Sequence, residues 1–153
     1  MVDVEALADN LRDRIGYEGE PFTHKIEAGA LIKFATATGE TARVYLDDAY
    51  ARTTRFGGLI APPTWVSVYP PKVMKGVMVR DLPLKRFLHT DDVAENYSII
   101  RADDEITAIA RYADVFVRKG RFGSMLFQSS DVLLTNQHAV LVAKVRVVAV
   151  NFK

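Results

Sequence analysis

The chain has 153 residues, and its 20 basic and 19 acidic side chains leave a formal net charge of +1. It contains no cysteine and three scattered histidines, which excludes disulfides and leaves no metal-ligand cluster, so we expect neither metal nor cofactor. The balanced charge, without a basic stripe, argues against nucleic acid as a partner. No apolar run has the length of a signal peptide or membrane span, so we expect one cytoplasmic domain over residues 1–153.

Two helices are predicted in the first part of the chain. Apolar residues at helical spacing between Val4 and Ile15 predict a short leading helix. The stretch from Ile26 to Thr38 predicts a second helix, with Glu27 in its first turn and Gly39 placed to end it in the left-handed conformation. Its apolar face, which another layer must cover, comprises Ala30, Leu31, Phe34, Ala35 and Thr38.

Four later segments have β character and can supply that layer. They run from Leu84 to Ile99, Ile106 to Lys119, Phe122 to Leu134 and Ala139 to Phe152. The short breaks between them predict an antiparallel meander, and a helix followed by such a sheet predicts an α+β fold whose sheet wraps around the helix. The proline-rich stretch from Pro70 to Leu84 is expected to be irregular, either a pocket cover or an ordinary connection.

Three motifs in this order resemble a known family. IEAGALIKFATATGE looks like the central helix and following loop of MaoC-like hydratases and dehydratases. RFGGLIAPPTW resembles the start of the second helix in the N-terminal, FAS1-type dehydratase half of that family, and FGSMLFQSSDVLLTNQHAVLVAKVRVVAV is similar to the last two strands of that half. The resemblance runs from Ile15 to the C-terminus and implies a single hotdog fold, an antiparallel sheet wrapped around a central helix.

The family's chemistry is the reversible addition of water to a double bond beside a thioester carbonyl. It needs a carboxylate and an imidazole to activate the water, and backbone N–H groups to polarise the carbonyl. In members active alone, the loop reads Gly-Asp-x-Asn-Pro-hydrophobic-His. The corresponding run here is GETARVY, so that Glu40 stands at the position of the aspartate and Tyr45 at that of the histidine.

Both replacements weaken the expected chemistry. Glu40 keeps the charge on a longer arm, and a phenol such as that of Tyr45 is a poor general base at neutral pH. The His-Gly pair that usually opens the second helix aligns with Ala61 and Pro62, and proline has no N–H to donate, which leaves Thr64 as the next free donor. The resemblance therefore implies a site that lacks a complete catalytic set.

Other candidate contacts to a substrate have ordinary structural alternatives. Glu40 can be a solvated acid after a helix and Tyr45 a packed aromatic, while prolines are common in the first turn of a helix. Trp65 is a core residue first and a tunnel wall second, and His89 can be a structural strand residue. The candidate substrate contacts are Phe34, Ala61, Pro62, Pro63, Thr64, Trp65 and His89.

Three functions remain open from the sequence. The first is an acyl-thioester-binding subunit of a (3R)-hydroxyacyl dehydratase or enoyl hydratase. The resemblance implies that this subunit pairs with a catalytic MaoC-like chain, and we expect a heterodimer or homodimer with another MaoC-like hotdog chain. The second is a self-sufficient homodimer that uses Glu40 and Tyr45. The third is a non-enzymatic module that binds acyl-CoA. In each case the ligand is an acyl thioester of CoA or of acyl carrier protein.

Overall fold

A computed structural model describes residues 2–121 and 123–153 of the chain. The predicted start of the third strand, Phe122, lies outside these residues. The helices of the described part are α1 (Val4–Arg12), α2 (Ala28–Ala37), α3 (Asp48–Arg52) and α4 (Pro70–Val73), with 3-10 helices at Arg43–Tyr45 and Pro63–Val68. Its strands are β1 (Phe22–Lys25), β2 (Arg86–Asn96), β3 (Glu105–Gly120), β4 (Gly123–Thr135) and β5 (Leu141–Phe152).

Helix α2 ends in a Schellman motif that confirms the predicted role of Gly39. This glycine has a φ of +76°, in the left-handed region that favours a residue without Cβ. Its N–H donates to the carbonyl of Thr36 at 3.2 Å, and the Glu40 N–H donates to the carbonyl of Ala35 at 2.9 Å. Two carbonyls of the last helical turn are thereby satisfied, and the backbone of Glu40 is fixed relative to α2.

The five strands form one curled antiparallel sheet in the order β1-β3-β4-β5-β2, which is the hotdog arrangement of an α+β fold. The predicted meander is correct for β3, β4 and β5. It is wrong for β2, which pairs with β5 along the far edge and leaves β3 beside β1. The chain after β2 does not turn back as a hairpin. It pairs instead with an earlier segment, where Ile60 bridges Arg101 and the Ala61 N–H donates to the Ile100 carbonyl at 2.8 Å.

The inner face of the sheet and α2 share one hydrophobic core. Leu31 and Ala35 of α2 are fully buried, and Leu31 belongs to a cluster with Ile106, Leu126 and Val132 from three positions on β3 and β4. Thr38, which the sequence placed on the apolar face of the helix, is exposed at its end. Across residues 2–121 and 123–153, no helix is long and apolar enough to cross a membrane.

The proline-rich stretch after residue 69 is ordered by a buried glutamine. Pro70 opens the one-turn helix α4, where its missing N–H would have no helical partner, and the helix ends at Val73 within a stretch that was expected to be irregular. Beyond α4, Val79 is bonded twice to Gln128: its N–H donates to Oε1 at 3.0 Å, and its carbonyl accepts from Nε2 at 2.8 Å. The remaining contacts of Gln128 hold it on the sheet.

Gln128 is fully buried on the inner face of β4. Its Nε2 donates to Oδ1 of Asn151 at 2.7 Å, and the Tyr112 hydroxyl donates to its Oε1 at 3.1 Å. Burial raises the pKa of Tyr112, which keeps the phenol protonated and able to donate. One side chain therefore ties the irregular segment around Val79 to two strands of the sheet.

We expect Gln128→Leu to lower the free energy of unfolding by roughly 3 kcal/mol, because it leaves buried groups of Val79, Tyr112 and Asn151 without partners. Urea denaturation measures the loss. The matched control is Gln137→Leu, since Gln137 is exposed while it bonds the N–H of Glu105 at 3.1 Å. We expect it to cost less than about 1 kcal/mol. Equal costs for the two variants would contradict the role of Gln128.

Candidate functional site

A cavity of about 270 Å³ lies where the loop after α3 meets the end of β2, and we call it the Tyr45 cavity. Tyr45 enters it from the short 3-10 helix at residues 43–45, and Ala61, Pro62 and Pro63 form the opposite wall. Its remaining wall is mostly apolar, and Arg55 is a basic side chain at its lining. Four of the predicted site residues are thus brought together.

Glu40 lies outside the lining of the Tyr45 cavity. The Schellman motif fixes its backbone, and its side chain is half-buried. Within the described part of the chain, no hydrogen bond joins the Glu40 carboxylate to Tyr45 or to any other side chain. The two positional counterparts of the catalytic pair are therefore not hydrogen-bonded to each other among the described residues.

The backbone from Ala61 to Thr64 has one N–H left for a ligand. The Ala61 N–H already donates to the Ile100 carbonyl at 2.8 Å, and Pro62 and Pro63 have none. The Thr64 N–H forms no hydrogen bond with a described residue, but Thr64 is exposed and is not part of the cavity lining. The wall of the Tyr45 cavity is therefore poor in the donors that stabilise an oxyanion.

Phe34 and Trp65 form an aromatic pair in the core. Their ring centroids are 5.1 Å apart with planes at 80°, an edge-to-face arrangement, and Trp65 is only 6% exposed. The pair joins α2 to the 3-10 helix at residues 63–68, behind the wall formed by Pro62 and Pro63. Both residues thus support the cavity wall without lining it.

His89 lines a second cavity, of about 330 Å³, on the inner face of the sheet; we call it the His89 cavity. Its Nε2 lies 2.8 Å from Oδ1 of Asp92. In a regular strand, residues three apart point to opposite faces, but a β-bulge between His89 and Asp91 brings both side chains to the same cavity. The sequence contains this acid, but the bulge that aims it is not readable from the sequence.

The rest of the His89 cavity is largely apolar. Met74 and Met78 come from the segment that Gln128 holds, Val147 and Ala149 come from β5, and Arg80 adds one cation. Methionines adapt their shape to apolar ligands because the side chain is unbranched and flexible. The arrangement suits an apolar chain that ends in, or passes, a polar group.

Two arginines near the Tyr45 cavity are engaged in local ion pairs. Arg52 donates to Asp48 at 2.7 Å, and Arg43 donates to Asp47 at 2.6 Å. The Arg43 bond, together with the N–H of Tyr50, holds the pKa of Asp47 below its usual range. No group of acids and histidines with metal-binding geometry occurs in residues 2–121 and 123–153.

Comparison with known proteins gives a family and a fold. The family model described as "FAS1-like, dehydratase domain region" matches residues 13–145. No curated protein sequence matches the chain. Among solved structures, the ChsH1-ChsH2 complex from Mycobacterium tuberculosis is similar over 100% of this chain and 98% of the other, with 18% identity and a TM-score of 0.74.

Two further structures agree. The C-terminally truncated HadBC (3R-hydroxyacyl-ACP dehydratase) complex of Mycobacterium tuberculosis matches 91% of this chain and 98% of its own, with 19% identity and a TM-score of 0.73. A MaoC-like dehydratase from Rhodospirillum rubrum matches 94% of this chain and 96% of its own, with 23% identity and a TM-score of 0.67. At these identities the similarity establishes the hotdog fold.

We expect Phe34→Ala to lower the free energy of unfolding by roughly 3 kcal/mol and to change the fluorescence of Trp65, because the aromatic contact is lost. Phe56→Ala is the matched control: Phe56 is also half-buried but lines the Tyr45 cavity. We expect it to cost about 1 kcal/mol and to leave the fluorescence unchanged. The reverse order of costs, measured by urea denaturation, would show that Phe34 is not a structural support.

Proposed function

The chain belongs to the FAS1-like dehydratase family of MaoC-like hotdog proteins, and we propose that it is the acyl-thioester-binding subunit of a hydratase or dehydratase whose catalytic residues come from a second MaoC-like chain. The substrate is a (3R)-hydroxyacyl or enoyl thioester of CoA or acyl carrier protein. The observation that carries the proposal is the composition of the Tyr45 cavity, where the phenol of Tyr45 and the proline Pro62 stand at the positions of an imidazole and an N–H donor.

The free edge of the sheet supports a partner chain. Strand β2 has 11 residues and pairs through one side with β5; within the described residues, its other side has no strand beside it. Long unpaired edges invite pairing with another chain. The names of two similar structures, HadBC and ChsH1-ChsH2, each describe a complex.

The His89 cavity supports a role in holding the acyl chain. It opens along β2, so a chain paired with this edge would lie beside the cavity. Its methionine-rich wall offers apolar contact, and His89, Asp92 and Arg80 offer polar contacts to a thioester or hydroxyl group at the rim. The subunit would then contribute binding energy and chain-length selection, while the partner supplies proton transfer.

The test is to purify the chain alone and together with a MaoC-like chain that carries Gly-Asp-x-Asn-Pro-x-His, and to follow hydration of crotonyl-CoA and longer enoyl-CoAs. We expect no hydration by the lone chain and turnover by the complex. Filling the His89 cavity with Ala149→Phe should lower kcat/KM for long enoyl-CoAs by about tenfold or more and spare crotonyl-CoA. Strong hydration by the lone chain would contradict the proposal.

A self-sufficient homodimer is the second candidate, and the position of Tyr45 at a cavity favours it. Under this hypothesis Glu40 must act on the substrate, so Glu40→Gln should reduce kcat by about 100-fold or more while KM changes little. Glu27→Gln, an exposed acid at the start of α2, is the matched control. Unchanged activity of Glu40→Gln would exclude this hypothesis. Acyl-CoA binding without turnover in every pairing would instead identify a non-enzymatic binding module.

A further inference from the structure

The outer face of the sheet, which points away from α2, carries an apolar row across four strands. The strand register aligns Phe116 of β3 with Phe127 of β4, Phe127 with Val150 of β5, and Val150 with Leu88 of β2. The two phenylalanine rings are stacked, with centroids 5.2 Å apart and planes at 2°. Leu88, at the end of the row, is 54% exposed.

Opposite charges flank the two ends of this row. On β3, Arg118 follows Phe116 by two residues and Asp114 precedes it by two, so all three side chains face outward. Arg118 and Asp114 lie on opposite sides of the row. On β2, Arg86 lies on the side of Arg118, and the β-bulge brings Asp91 opposite Val148, on the side of Asp114. Both arginines are therefore on one side of the row, and both aspartates are on the other.

These four charged residues are available for contact with another molecule. All four are exposed, and no ion pair joins any of them to another residue of the described chain. The Arg118 guanidinium lies 5.0 Å from the ring centroid of Phe116 and the Arg86 guanidinium lies 5.6 Å from that of Phe152. Such stacking leaves the N–H edges of a guanidinium free to bind carboxylates.

We propose that the outer face is a self-association surface, on which a second copy of this chain packs about a two-fold axis parallel to the apolar row. A rotation about that axis keeps each position along the row and exchanges its two sides. Arg118 then faces Asp114 of the second copy, and Arg86 faces Asp91 of the second copy. The strands of the two sheets run in nearly aligned directions, as in packed β-sheets.

The charge pattern selects a second copy as the occupant. A single-sign partner, such as an anionic lipid surface, would meet two aspartates for every two arginines, whereas the two-fold copy pairs every charge with its opposite. The row crosses four strands separated by three gaps of about 4.8 Å, so it is about 15 Å long. Because a contact of this size buries little area, the association is weak and concentration-dependent. The contact uses neither cavity and leaves the outer hydrogen-bonding edge of β2 free, so it is independent of the proposed function.

Charge reversal tests the geometry, with sedimentation velocity as the measurement. We expect the unmodified chain to self-associate reversibly, and we expect Arg118→Asp and Asp114→Arg to weaken this association on the order of tenfold each, because each places like charges in contact twice. Mixing the two variants should restore a one-to-one dimer, since the introduced carboxylate then faces the introduced guanidinium while the native pair remains. The double variant should also restore association.

The matched control is Lys33→Asp, which reverses an exposed charge on α2 and should leave association unchanged. Circular dichroism of each variant verifies folding. A chain that stays monomeric at high concentration would overturn the proposal, and so would single variants that associate normally or a mixture that does not restore the dimer. Complex formation through the β2 edge with a catalytic MaoC-like chain is measured in parallel, and its failure would bear on the proposed function alone.

Discussion

Burial of the apolar face of α2 under a curled sheet is the constraint on which the rest of the molecule depends. Leu31 and Ala35 leave the solvent completely, and the strands that cover them must bend to do so. A sheet that bends around a helix without closing has two edges. One edge is covered by short β1, and the other is the long, exposed β2. The exposed edge at which the proposed partner would pair follows from the way the core is built.

Hydrogen bonding within the fold also determines which backbone donors remain at the candidate site. The N–H of Ala61 is used within the fold, because it donates to the carbonyl of Ile100 in the connection between β2 and β3. Next to it, Ile60 forms an isolated β-bridge with Arg101. A wall made in this way, with two prolines next along the chain, excludes solvent and supports a bound chain but offers little polarisation to a carbonyl. The proposed role of this cavity in binding rather than in proton transfer rests on this lack of donors.

Much of the fold was predictable from sequence because its signals are local. The period of Ala30, Leu31, Phe34 and Ala35 marks a helix, Gly39 marks its end, and the alternation in β5 marks a half-buried strand. Pairing of β2 with β5 was not predictable, since it joins residues 47 to 66 positions apart and local turn chemistry carries no signal for it. Strand β1 was missed because its four residues are too few to establish a period.

Part of the candidate site was likewise predictable from the sequence, and part was not. Tyr45, Ala61, Pro62 and Pro63, which the motif positions single out, line one cavity because they lie in two segments that the fold brings together. Glu40 is not part of the lining of that cavity, and which side chains line a cavity depends on the three-dimensional fold, which the motif alone does not give. Asp92 was missed for another reason: a strand with strict alternation would have turned it away from His89, and only the bulge reverses that direction.

The bulge in β2 also governs which strands this edge can accept. It is anchored by the Thr90 hydroxyl, which donates to the Val148 carbonyl at 3.1 Å, and it divides the edge into two short runs, at residues 86–89 and 91–96. A straight strand can follow one run but loses register at the next. Such a bulge disfavours indiscriminate stacking of strands, the first step towards fibrous aggregates, and any strand paired with the whole edge would need a bend at the matching place.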